Sequence, residues 1–213
     1  MVNNIAIIDY GMGNLKNVAN AFHFLGFDAK ISGNYRDIEE ASHLVLPGVG
    51  GFKDAMLTLK QRNLIEPIKA AVESGKNFLG ICLGMQLLFE TSEEFGYSEG
   101  LGILKGKVVK FDESRVPLIP HIGWNDIEIS KPERKFEGIK NHDFFYFLHS
   151  YYCMPEEDIT VASCDYYGKF SACIKKGNIF ACQFHPEKSH TGGLVLLKNF
   201  VGNLHANIFN PIP

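Results

Sequence analysis

Two segments carry residue types from which nucleophilic chemistry can be assembled: Gly80-Ile81-Cys82-Leu83-Gly84 and Phe184-His185-Pro186-Glu187. In the first, a thiol sits between apolar neighbours and outer glycines, where a strand-like run from Asn77 to Ile81 gives way to a helical one from Met85 to Phe89. A tight strand-to-helix turn of this kind, a nucleophile elbow, exposes the side chain and turns the following N–H groups toward the same space. The helix start favours thiolate over thiol, and the amides can hold a developing oxyanion. In the second segment His185 ends an apolar strand, and Pro186 restricts the turn that follows. Glu187, two residues on, can hold the imidazole nitrogen that faces away from the thiol and so fix its tautomer. Together they make a cysteine, histidine, glutamate triad for acyl transfer.

Each segment alone has a plainer reading. A free cysteine commonly packs as a small hydrophobe at a strand end, and His-Pro-Glu can be an ordinary surface turn. Joined, they favour chemistry. His185 and Glu187 lack a third close ligand and no H-E-x-x-H helix is present, so no metal site is expected and no cofactor is called for. Gly48-Val49-Gly50-Gly51 follows a third strand beside the elbow. Its amides at Val49 and Gly50 offer a second oxyanion donor, with the Leu83 N–H as the first. Phosphate binding is the competing use of such a loop, but no Lys-Ser/Thr follows it. Gly11 and Gly13 do not complete a dinucleotide fingerprint, because position 16 is Lys16.

The elements that must position these groups alternate at first between strand and helix. Asn4 to Ile8 is an apolar run closed by Asp9-Tyr10-Gly11-Met12-Gly13-Asn14, with Asn14 a candidate helix cap. Leu15, Val18, Ala19, Phe22 and Leu25 recur at helical spacing until Gly26. Further strands are expected over Phe27 to Ile31, His43 to Leu46 and Asn77 to Ile81, and helices over Phe52 to Leu59 and Leu64 to Val72. The middle of the chain turns strand-rich: Ile103 to Phe111, Trp124 to Ile129, Phe144 to Leu148, Thr160 to Cys164, Phe170 to Lys175 and Asn178 to Ala181. Lys175 to Asn178 reads as a hairpin turn, and Leu194, Leu197, Val201, Leu204 and Ile208 as a closing helix capped near Thr191. The expected fold is a mostly parallel open α/β sheet flanked by helices, with antiparallel strands added late. Right-handed crossovers put the turns after Ile8, Leu46 and Ile81 on the ligand-binding edge of that sheet.

A chain of 213 residues is expected to form a single domain over 1–213. With 21 basic against 24 acidic residues, the net charge of -3 leaves no footprint for a nucleic acid or an anionic membrane. The apolar runs are too short to cross a bilayer and the first residues lack a signal pattern, so a cytoplasmic protein is expected. Five cysteines without CxxC spacing suggest neither a disulfide framework nor a thiolate zinc site.

Gly80 to Gln86 and Phe184 to Glu187 resemble the signature of the class I glutamine amidotransferases, and the resemblance covers nearly the full length. It implies that Cys82, His185 and Glu187 release ammonia from glutamine through a glutamyl thioester, with Gly48, Gln86, Ser150 and Tyr151 around the substrate. Within the family, Asp9 to Asn14, Pro120 to Asn125, His149 to Tyr152 and Phe184 to Ser189 resemble the branch serving histidine biosynthesis. That implies a heterodimer with a (β/α)8 barrel cyclase, which uses the ammonia to make imidazole glycerol phosphate and aminoimidazole carboxamide ribotide. Asn14, His121, Gly123, Trp124, Tyr146 and Lys188 would then lie at or near the cyclase face, and Ile122 replaces a usual methionine. The resemblance further implies that the lone subunit is nearly inactive until ligand on the cyclase reorganises Val49-Gly50. On the residues alone, a stand-alone cysteine amidase or peptidase and a noncatalytic binding module remain alternatives. Trp124, Tyr151 and Tyr152 read equally well as core packing.

Overall fold

The computed structural model describes residues 4–202. Its first strand, Ile5-Ala6-Ile7-Ile8, is apolar at every position, which suits a strand covered on both faces. In chain order the elements are β1 (Ile5–Ile8), α1 (Leu15–Phe24), β2 (Ala29–Ser32), α2 (Tyr35–Glu40), β3 (His43–Gly48), α3 (Phe52–Gln61), α4 (Ile65–Glu73), β4 (Asn77–Cys82) and α5 (Leu83–Gln86). There follow β5 (Phe89–Ser92), β6 (Ser98–Glu99), β7 (Leu104–Lys110), β8 (His121–Asp126), β9 (Glu128–Ile129), β10 (Phe144–His149), β11 (Tyr151–Pro155), β12 (Thr160–Asp165), β13 (Lys169–Lys176), β14 (Ile179–Cys182) and α6 (His190–Val201).

Eight strands form the main sheet in the order β2-β1-β3-β4-β14-β13-β12-β9. From β2 to β14 neighbours run parallel, and from β14 to β9 antiparallel, so the mixed sheet expected from the sequence is present. Alternation along the strands divides the core in two. Ile5 and Ile7 join Phe22, Phe145, Phe147, Phe184 and Leu197 on one face, while Ala6 and Ile8 join Leu46, Phe52, Leu59, Ile68 and Met85 on the other. Burying each large apolar side chain of this kind contributes about 1.5–3 kcal/mol against leaving it in water. A second sheet, β11-β7-β5-β6, and the two-stranded ribbon β10-β8 complete the strands.

Several local expectations need correction. The helix expected over Met85 to Phe89 is the single turn α5, after which Phe89 opens β5. Periodicity alone does not separate a helical turn from a strand in so short an apolar run. The strand expected from Trp124 to Ile129 starts at His121 and is interrupted at Ile127. Three short elements, α2, β6 and β11, lie where the sequence pattern predicts none. Asn14 does hold the cap position of α1, but through its carbonyl, which accepts the Asn17 and Val18 N–H groups, and not through its side chain. Helix α6 begins at His190, ahead of the expected cap at Thr191. Leu204 and Ile208, assigned to the same helix from the sequence, lie outside the described residues.

Candidate active site

Strand register assembles the site. Gly48 at the end of β3 pairs with Cys82 at the end of β4, and Cys182 of β14 pairs with Ile81 on the other side. The glycine loop, the elbow and the histidine segment therefore leave the sheet side by side at the C-terminal edge of parallel strands, where open α/β sheets bind ligands.

Cys82 takes φ 54°, the left-handed region that a non-glycine residue adopts only when its surroundings hold it there. The flanking glycines explain how it is held. A Cβ on Gly84 would stand 1.7 Å from the Leu46 carbonyl oxygen, and one on Gly80 would meet Gly84 and Met85 backbone atoms at 3.0 Å. The elbow thus folds directly onto β3 and onto its own following turn. Gly48 is just as confined, since a Cβ there would stand 2.4 Å from the Tyr10 hydroxyl and 2.9 Å from Leu83 Cβ.

His185 Nδ1 lies 2.8 Å from Glu187 Oε1, with both side chains only 2% exposed. The His185 N–H donates to the Tyr146 carbonyl at 2.9 Å. The Ser189 hydroxyl donates to the His185 carbonyl at 2.6 Å and accepts the Tyr146 N–H at 3.0 Å. These bonds fix the histidine turn against β10. His185 Nε2 is buried with no hydrogen-bond partner, beside the Cys82 sulfur. Burial works against a charged imidazole, but the neighbouring sulfur and the Glu187 carboxylate outweigh it and push His185 up to about 10. The arrangement can hold a thiolate and imidazolium together, with Glu187 behind the ring. Burial pushes the Cys164 thiol up to about 12, and those of Cys153, Cys173 and Cys182 well above their usual range, which disfavours their thiolates.

A cavity of about 250 Å³ opens over the sulfur, lined by Val49, Gly50, Leu83, Gln86, Ser150 and Tyr151 among others. That volume suits a small molecule on the scale of one amino acid. Gly48, expected beside the substrate, lies beneath the loop, buried against Tyr10 and Leu83. Gln86 spends its amide N–H groups within the protein, on the Tyr151 carbonyl at 2.8 Å and on Gln183 Oε1 at 3.1 Å. Two further polar groups, not expected from the sequence, stand here. Glu94 lines the cavity, accepts the Phe52 N–H at 2.5 Å and is shifted upward chiefly by burial. Gln183, fully buried, donates to the Cys82 sulfur at 3.6 Å. Gln183 is a lone polar residue between Cys182 and Phe184 just past the end of β14, a position that no motif singles out.

The ribbon β10-β8 turns its outer face to solvent. Ile122, Trp124 and Phe144 on this face are 54%, 43% and 59% exposed. Trp124 is therefore no core residue: it stacks on His190 with centroids 4.8 Å apart and meets the edge of Tyr146. Lys188 Nζ lies 5.6 Å from the Tyr146 ring centre. Gly123 takes φ 137° with open space where a side chain would be, and Asn14 is exposed. His121 differs from these, being buried between Phe147 and Tyr166, and desolvation pushes it down to about 4. Tyr152 packs on Phe111, as the core reading has it, whereas Tyr151 reaches the cavity.

A family model described as glutamine amidotransferase class-I matches residues 6–204. The imidazole glycerol phosphate synthase subunit HisH of Caldanaerobacter subterraneus subsp. tengcongensis is 51% identical, over 92% of this chain and 96% of that protein. The subunit of the same name from Aquifex aeolicus is 50% identical, over 91% of this chain and 94% of its own. Among solved structures, that of PurLQS from Thermotoga maritima superposes with a TM-score of 0.74 at 18% identity, covering 94% of this chain and 98% of the matched one. At that identity the likeness speaks for the fold.

Proposed function

The chain belongs to the class I glutamine amidotransferases, in the family of imidazole glycerol phosphate synthase HisH subunits, and on that premise we propose that Cys82 hydrolyses glutamine for a cyclase partner. Glutamine enters the cavity with its carboxamide over the sulfur. Glu94, the one carboxylate lining that cavity among the described residues, receives its α-ammonium group. His185 takes the thiol proton, and the thiolate attacks the carboxamide carbon. The oxyanion forms against the Leu83 N–H and the backbone at Val49 and Gly50. His185 returns its proton to the departing nitrogen, because ammonia leaves poorly from the unprotonated intermediate. Water, deprotonated by the same ring, then hydrolyses the thioester to glutamate.

The observation that carries this reading is a strained cysteine whose neighbour across two strands is a histidine backed 2.8 Å away by a buried carboxylate. Ammonia is protonated in neutral water and lost as a nucleophile, so release against a receiving partner is chemically favoured. The exposed face of Ile122, Trp124 and Phe144, with half-buried Tyr146 beside them, suits that partner, a (β/α)8 barrel cyclase in a heterodimer. The cyclase joins the ammonia to its ribotide substrate to give imidazole glycerol phosphate and aminoimidazole carboxamide ribotide. Ligand on the cyclase reorganises the Val49-Gly50 peptide, for which the glycine at φ 101° provides freedom.

Cys82→Ala tests this. The variant complex is expected to lose glutamine-dependent synthesis and keep synthesis from added ammonia. Glutaminase activity retained in that variant would remove Cys82 from the mechanism, and equal wild-type rates with and without the cyclase would favour a stand-alone hydrolase.

A further inference from the structure

Gln183 has no part in the triad, yet its carboxamide is buried against the sulfur. Which end of it faces Cys82 follows from one backbone atom. The Tyr151 carbonyl can only accept, so the Gln86 atom 2.8 Å from it is the amide nitrogen. That nitrogen also contacts Gln183 at 3.1 Å and must find an acceptor there, which is Oε1. Gln183 Nε2 is thereby turned to the sulfur at 3.6 Å. The same carbonyl sets the groups behind it. His149 Nδ1, at 2.9 Å, must carry a proton, so its Nε2 accepts from His121 Nδ1 at 3.1 Å, and His121 Nε2 is left to accept from Asn125 at 3.4 Å. Every donor in this buried chain has one consistent direction, which rigidifies it.

The sulfur also lies 3.7 Å from the Leu148 carbonyl oxygen. That oxygen accepts from a thiol but disfavours a thiolate, so an N–H group donating to the same sulfur has a definite use. We propose that Gln183 is a further catalytic residue: its amide N–H, aimed by Gln86, holds the Cys82 sulfur in its attacking orientation and favours the thiolate. This rests on Cys82 being the nucleophile. His185 supplies the proton acceptor and Gln183 a fixed donor that titrates with neither, so the two act on the sulfur independently.

The test is the pH dependence of Cys82 alkylation by iodoacetamide in the full-length chain, read on the Cys82 peptide by mass spectrometry. Because Gln183→Met removes a hydrogen bond to a charged sulfur, it is expected to slow alkylation about tenfold or more below the thiol's midpoint and to move that midpoint upward. Gln86→Met, which leaves the Gln183 amide unaimed, is expected to move it the same way by less. A Gln183→Met profile superposing on that of the wild type overturns the proposal. Should Gln183→Met not fold, an unmoved Gln86→Met profile overturns it equally. A wild-type Cys82 no more reactive than the unfolded chain's thiol would instead defeat the nucleophile assignment, and this inference with it.

Discussion

The charge behind His185 belongs to a carboxylate whose second oxygen, Glu187 Oε2, is buried without a partner. Such a group is costly unless an imidazolium compensates it, and the same carboxylate is among the groups that push His185 upward. Glu187→Gln keeps the shape and removes the charge. Glutaminase kcat in the complex is expected to fall by about 10²- to 10⁴-fold while KM for glutamine changes little, as measured in steady state. An unchanged kcat would make Glu187 a packing residue. Cys82, His185 and Glu187 are legible in the sequence because glycines and a proline mark the turns on which they sit. Gln183 and Glu94 are not, since the first directly follows an apolar strand without a motif of its own and the second follows a strand, β5, that periodicity does not predict.

At the level of elements, close approach between α5 and β3 holds the elbow. Gly84→Ala would drive a methyl group into the Leu46 carbonyl, whereas Gly75→Ala meets nothing within 4 Å and bears only the strain of φ +84°. Gly84→Ala is expected to cost at least about 1–3 kcal/mol and to lower the thermal midpoint by several degrees, more than Gly75→Ala, whose strain is about 1–2 kcal/mol. Equal midpoints would mean that the elbow can relax away from β3. The buried histidines of β8 and β10 give this region a pH dependence. Desolvation pushes His149 from 6.5 down to about 3, so its neutral form contributes stability that is complete above pH 6.5 and lost as pH falls toward 3. At pH 4.5 this loss is about 2–3 kcal/mol. His149→Asn keeps a donor for the Tyr151 carbonyl but does not titrate. In urea unfolding its stability difference between pH 7.5 and 4.5 should be smaller than that of the wild type by about that amount. An equal difference would place the acid sensitivity elsewhere. The parallel half of the sheet was readable because β1, β3, β4 and β14 are mostly apolar runs, and glycines within or just beyond the ends of β1, β3 and β4 mark their exits. The ribbon was readable as strands, but its outward face was not, because Trp124 and Tyr146 are residue types that serve cores and surfaces alike.

For the whole molecule, the ribbon that exposes Ile122, Trp124 and Phe144 is tied through Tyr146 backbone bonds to the turn bearing His185. A partner seated there would rest one turn from the chemistry. Trp124→Ala is expected to weaken cyclase binding by about 2 kcal/mol, roughly thirtyfold in Kd by titration calorimetry, because a half-exposed aromatic on a binding face is a usual energetic centre. Unchanged affinity would put the contact elsewhere. Among the described residues no helix is long and apolar enough to cross a membrane. The most direct test of the whole scheme is acid quenching of the complex during turnover of isotope-labelled glutamine, followed by peptide mapping. Label bound as a thioester to the Cys82 peptide, and absent from Cys82→Ser, is the expected result; continued hydrolysis with label on another residue, or on none, would contradict it.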